Sequence, residues 1–155
     1  MYCHGRLPQV KPAGRSGMAE PEHACAIVRD HRDRLVLQLR PPWVRHAPEQ
    51  LTCFGGKREP GETAEACLVR ELAEDLAWHP KSFAPAVDLV KGDRWIARFF
   101  QTQLPASVQP RVEPGFALIR APQPTLPGLP ISPWHVRVLA AWQAGGDRVD
   151  LFRDP

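Results

Sequence analysis

The 155-residue chain has no apolar run approaching the ~20 residues that a membrane-spanning helix needs. Its first residues also lack the apolar core of a secretory leader. A cytoplasmic location is therefore expected, with no membrane partner. Cysteine is sparse as well. Cys3, Cys25, Cys53 and Cys67 include no Cys-x-x-Cys pair, which argues against a zinc ribbon or a redox dithiol. Three of the four stand in apolar stretches and read as small buried hydrophobes. Charge of one sign is lacking too. The net charge is +3, but Arg6, Lys11 and Arg15 against Glu20 place most of it in residues 1–20. The remainder carries 17 basic and 16 acidic residues. So balanced a body offers no basic face to a nucleic acid. No internal repeat is present.

What remains is ordinary for one globular domain: 43% apolar and 24% charged residues. Residues 1–20 show neither helical nor strand period and are rich in Gly, Pro and basic residues, so a disordered tail is expected there. Met18, just ahead of the first patterned segment, is an alternative start. The domain is expected over 21–155. His23–Arg29 and Leu35–Arg40 read as strands around a turn, and Leu51–Phe54 as a short strand running into Gly55-Gly56. Thr63–Ala77 has helical period, with Thr63 as its N-cap. Ala84–Val90 and Arg94–Leu104 read as strands joined at Lys91–Asp93, and Gly115–Arg120 as another. Eight prolines between Pro105 and Pro133 predict extended loop around that last strand. Ser132-Pro133 starts a final helix over Trp134–Ala144, stopped by Gly145. Mixed strands with few helices suggest an α/β fold, a three-layer α/β/α sandwich with a mixed sheet.

The chemistry is concentrated in Gly56–Trp78, GKREPGETAEACLVRELAEDLAW. With Glu71 set at zero on a helical projection of about 100° per residue, Asp75 falls near 40° and Glu74 near 300°. Leu68, Leu72, Leu76 and Val69 occupy the flank at roughly 60–160°. An aliphatic ridge thus adjoins a face of three carboxylates. Like charges at this spacing repel by a few tenths of a kcal/mol per pair. A solvated acidic face is the plain alternative. The Gly-rich turn ahead of the helix points elsewhere, because it lets backbone carbonyls approach the acidic face. Clustered oxygens are what hard divalent cations take, and carboxylate-bound metals neutralise a polyphosphate under attack.

The segment resembles the Nudix box, G-x5-E-x7-R-E-U-x-E-E-x-G-U, in which U is apolar. Gly56, Glu62, Arg70-Glu71, Leu72, Glu74 and Trp78 match at the required spacing. There are two departures. Asp75 stands where the box has its last Glu, and Ala77 where it has Gly. A left-handed residue 77 would cost about 1 kcal/mol as Ala; the alternative is a helix continuing to His79. The resemblance implies a Nudix-like α/β/α fold over about 23–146 and Mg²⁺ or Mn²⁺ as cofactor. It implies Glu71, Glu74 and Asp75 as metal ligands, joined by the Gly55 carbonyl. Arg70 would orient the box carboxylates or take part in catalysis directly, with Glu62 in the same network. Glu74, then Glu71, would polarise the attacking water.

Outside the box, Glu113 is the first candidate for a further metal ligand, ahead of Asp93. Arg40 is a candidate phosphate contact. Trp43, Trp95 and Phe99 could stack on a base or simply pack, and His46 could reach substrate or be solvated. Cys67 is expected to pack. The implied reaction is hydrolysis of a diphosphate bond in a small nucleotide substrate. Asp93 replaces the Pro of the ADP-ribose branch, and Arg94 the Tyr of the dinucleoside-polyphosphate branch. The upstream mark of the coenzyme A branch is missing. These differences favour nucleoside triphosphate pyrophosphohydrolysis. ADP-ribose or a nucleotide sugar is the alternative substrate, and a non-catalytic nucleotide sensor the alternative class. A homodimer is an open expectation.

Overall fold

The computed structural model describes residues 20–153. Of the tail expected over 1–20, all but Glu20 lies outside the described residues, with Cys3 and Met18 in it. Eight strands form one mixed sheet. In chain order they are β1 (His23–Arg29), β2 (Leu35–Leu39), β3 (Leu51–Thr52), β4 (Phe54–Lys57), β5 (Ala84–Lys91), β6 (Arg94–Gln103), β7 (Ala117–Ala121) and β8 (Arg148–Asp150). Helix α1 (Ala64–Leu76) follows β4, and α2 (Pro133–Gln143) precedes β8. Among the described residues no helix is long and apolar enough to cross a membrane.

Strand alternation builds the three layers. Along β1, Ala24, Ala26 and Val28 face α1, where they join Phe54, Leu68, Leu72, Leu76 and Phe100. Cys25 and Ile27 face the other way, into a core with Leu35, Leu37, Phe99, Val138 and Leu139 of β2, β6 and α2. The ridge expected on α1 is buried as Leu68, Leu72 and Leu76, while Val69 is only half-buried. Cys25, Cys53 and Cys67 are buried free thiols.

The sheet forks. β1 pairs with β6 in parallel along its whole length. On its other edge it pairs with β2 only at Val28 and Arg29, and with β4 from His23 to Ala26. β2 in turn meets β3 at Gln38 and Leu39. The chain from Leu51 to Lys57 therefore fills the gap where β1 and β2 diverge, changing partner at Cys53. That residue leaves the ladder, and its N–H donates to His135 Nδ1 on α2 at 3.0 Å. Burial holds the His135 imidazole down at about 4, so it is neutral and able to accept.

Several sequence expectations are corrected. The strand expected over Leu51–Phe54 is two strands broken at Cys53. The proline-rich stretch contains a 3₁₀ helix over Gln123–Gly128, because proline's fixed φ suits a tight helical turn as well as a loop. β8 was not foreseen: three residues are too few for a period, and their strand state comes from parallel pairing with Asp88–Val90. α1 stops at Leu76 and does not reach His79. Thr63 Oγ1 caps its start by accepting from the Ala66 N–H at 3.1 Å. Its end is Ala77 in the left-handed region, φ 52° and ψ 40°, donating to the Ala73 carbonyl. Glycine enters that region without the Cβ penalty. Ala77→Gly is expected to raise the unfolding free energy by about 1 kcal/mol, read from urea denaturation with an unchanged slope.

Candidate active site

The forked sheet opens a cleft between β2 and α1. It is lined by Gln38, Arg40, Gly55, Glu71, Asp75, Glu113 and Phe116, with a volume of about 170 Å³. Period two along β2 places Val36, Gln38 and Arg40 on the α1 side of the sheet. Val36 packs into that core, whereas Gln38 and Arg40 reach the cleft. The opposite wall is the acidic face of α1. A turn closed by the Phe116 N–H on the Glu113 carbonyl, at 3.0 Å, supplies Glu113 and Phe116.

Two glycines let the helix approach. Gly55 has φ 140°, and a Cβ there would overlap the backbone of Ala24 and Cys25. At Gly56 a Cβ would strike the Glu71 carboxylate. The Cys67 thiol donates to the Gly56 carbonyl at 3.6 Å, which makes it part of the same close packing.

Arg70 organises the box carboxylates. Its Nε and Nη2 form a two-pronged pair with Glu62 at 2.8 and 2.9 Å. Nη1 reaches Glu71 at 3.0 Å and both Glu74 oxygens at 3.4 Å. Nη2 also donates to the Lys57 carbonyl at 3.1 Å. The fork holds the Glu62 carboxyl down at about 2. Glu71 and Asp75 are shifted the other way. Burial, only partly offset by Arg70, raises Glu71. Burial first, then the Glu71 charge, pushes Asp75 up to about 7, although the Gly55 N–H donates to it at 3.4 Å.

This donor set fits a hard divalent cation. It consists of oxygens, and two of its three cleft carboxylates, Glu71 and Asp75, are destabilised as anions by burial and by one another, which a bound cation would relieve. Among the described residues no three His, Cys, Asp or Glu side chains stand together as a ready-made cage, since Glu71 and Glu74 turn toward Arg70.

The sequence candidates separate. Glu71, Asp75, Glu113, Gly55 and Arg40 line the cleft. Glu74 is not in the cleft lining; its side chain is 53% exposed against 14% for Glu71. Glu62 and Gly56 buttress from behind. Trp95 and Phe99 are in the core, so neither can take a base. Asp93, at the tip of the β5–β6 hairpin, and the His46 side chain are not in the cleft lining; His46 contributes its carbonyl, which accepts from Arg40 Nε at 2.8 Å. Sequence reading missed Gln38 and Phe116. Gln38 had a signal, a buried amide inside the apolar run LVLQL. Phe116 had none.

The residues 20–128 match the model of the NUDIX domain. The fold also matches solved structures. The MutT protein from Methanosarcina mazei Go1 aligns with TM-score 0.66 at 14% identity, over 82% of this chain and 96% of that one. The MutT NUDIX hydrolase from Burkholderia pseudomallei aligns with TM-score 0.61 at 24% identity, over 78% and 97%. The NUDIX domain of Shewanella oneidensis NrtR, complexed with ADP ribose, aligns with TM-score 0.63 at 14% identity, over 82% and 88%. No curated protein matches the chain by sequence. The chain belongs to the NUDIX family. It is a hydrolase of the kind that acts on diphosphate bonds, and hydrolases of this family generally need a divalent metal.

Asp75 could serve as a ligand only when ionised. With its carboxyl pushed up to about 7, protons would compete with a cation below neutrality. Acidifying from pH 8 to 6 is expected to weaken divalent-ion binding about tenfold through this one group. Calorimetric titration checks this, and Asp75→Asn should bind more weakly at both pH values with a flatter dependence.

Proposed function

We propose that this chain hydrolyses a nucleoside triphosphate to the monophosphate and pyrophosphate, with Mg²⁺ or Mn²⁺ as cofactor. The observation that carries the reading is the pairing of opposite chemistries across one small cleft: Glu71, Asp75 and Glu113 on the acidic side, Arg40 facing them. Arg40 commits its Nε to the His46 carbonyl and rests over the Phe116 ring at 5.6 Å, which leaves its two terminal nitrogens to donate to phosphate oxygens.

In this reading Glu71, Glu74 and Asp75, with the Gly55 carbonyl and Glu113, hold the metal. When bound, it offsets charge on the phosphate oxygens during attack. The chain's own groups do the rest. Arg40 fixes the phosphate chain. Glu74 orients the attacking water and takes its proton, with Glu71 as the second candidate. Glu74 suits this because its contacts to Arg70 are long and its side chain is half exposed, whereas Glu71 is packed against Gly56. The water oxygen bonds to one phosphorus of the α–β anhydride while the bridging P–O bond breaks in line. Arg70, tied to Glu62, is a positioning residue that keeps the carboxylates from scattering.

ADP-ribose or a nucleotide sugar is the second reading. The NrtR NUDIX domain, whose complex holds ADP ribose, supports it. A panel of nucleoside triphosphates, ADP-ribose, dinucleoside polyphosphates and nucleotide sugars, with products identified, decides between the substrates. Glu74→Gln is expected to lower turnover at least 100-fold. Equal turnover in variant and wild type overturns the assignment of Glu74. Binding across the panel without cleavage points to a nucleotide sensor instead. Arg70→Lys, which loses the two-pronged contact with Glu62, is expected to reduce kcat about 10- to 100-fold.

A further inference from the structure

Trp43 is 72% exposed, with Phe152 at 71% the other large ring so open among the described residues. It is nevertheless not loose. The edge of its six-membered ring lies so close to Gly115 that a Cβ there would overlap Cζ2 and Cη2. Gly115 belongs to the Glu113–Phe116 turn, whose two ends line the cleft. The loop bearing Trp43 is braced at its root. The Arg40 N–H donates to the Gln50 carbonyl at 3.0 Å, the Glu49 N–H donates to the Arg40 carbonyl at 2.9 Å, and Arg40 Nε holds the His46 carbonyl. The ring is thus fixed at the rim of the cleft with most of its surface open to solvent.

The cleft volume says what that surface faces. At about 170 Å³ it is smaller than the roughly 300–1,000 Å³ of pockets that enclose a whole drug-sized ligand. A nucleotide held there by its phosphates would extend beyond the lining, and Trp43, packed on Gly115 beside the lining residues Glu113 and Phe116, offers an aromatic surface next to the cleft. Such a surface suits a flat heteroaromatic ring, and stacking of this kind tolerates any base.

We propose that Trp43, held by Gly115, is the platform on which the nucleobase of the substrate stacks, making it a binding and specificity-determining residue. This rests on the proposed action on nucleotides. The test uses the full chain, with α,β-methylene nucleoside triphosphates, which cannot be cleaved at that bond, and inorganic tripolyphosphate, which has no ring. For Trp43→Ala, nucleotide Kd and KM are expected to rise about tenfold with kcat within about twofold, and tripolyphosphate Kd to stay unchanged. For Trp43→Phe, nucleotide affinity measured by calorimetry is retained, whereas the quench of tryptophan fluorescence that the analogues cause in wild type is lost. The proposal is overturned if Trp43→Ala binds nucleotides as wild type does, if it loses tripolyphosphate to the same degree, or if wild type shows no preference for nucleotides over tripolyphosphate. Wild-type binding of the analogues without cleavage of the natural triphosphates would count against the proposed reaction alone, and the quench and affinity measurements would still decide the role of Trp43.

Discussion

Four carboxylates, Glu62, Glu71, Glu74 and Asp75, are brought within reach of one another by a helix and the turn before it, and left alone they would repel. A single guanidinium keeps them together. Arg70 bonds three of the four and the Lys57 carbonyl besides. Its planar fork is what allows this, because one edge engages Glu62 while the third nitrogen remains for Glu71 and Glu74. The fourth, Asp75, lies beyond Arg70. It has the Gly55 N–H in its place, and its carboxyl is the one raised to about 7. The shorter arm of Asp relative to Glu still makes that contact, from a position deep enough for burial to dominate its ionisation.

The carboxylates matter only because the sheet forks beside them. Divergence of β1 and β2 leaves a gap, the chain from Leu51 to Lys57 bridges it, and the bridge brings Gly55 and Gly56 against α1. Both glycines answer steric demands: one from the β1 backbone, the other from the Glu71 side chain. The same fork lets Gln38 of β2 and Arg40 just past its end line the cleft on the α1 side. Acidic and basic walls therefore arise from one irregularity, and on the far side of the sheet His135 satisfies the N–H that the irregularity frees.

Legibility in the sequence followed the range of the forces involved. The leucine ridge and the Thr63 cap of α1 depend on neighbours three and four residues away, and so were readable. Whether Ala77 would end that helix was not, since a left-handed alanine is tolerated only where the chain must turn back, here to place Trp78 in the core. Nor could sequence separate the tryptophans. Trp95 is buried beside Arg98 and Trp43 stands exposed over Gly115, though both sit in similar local company.

The sequence by itself determined the box, its spacing and the face of α1 that carries the acids, because helical geometry is a local property of consecutive residues. It also determined the class of chemistry, since oxygen-only donors beside a polyphosphate call for a hard cation. Tertiary structure alone decided which residues from other elements meet that face: Gln38 from β2 and Arg40 just past its end, and Glu113 and Phe116 from the turn before β7. Those meetings are set by strand pairing between residues as far apart as Leu39 and Ala117. No local pattern encodes such a pairing, because it is the packed sheet as a whole that selects its register.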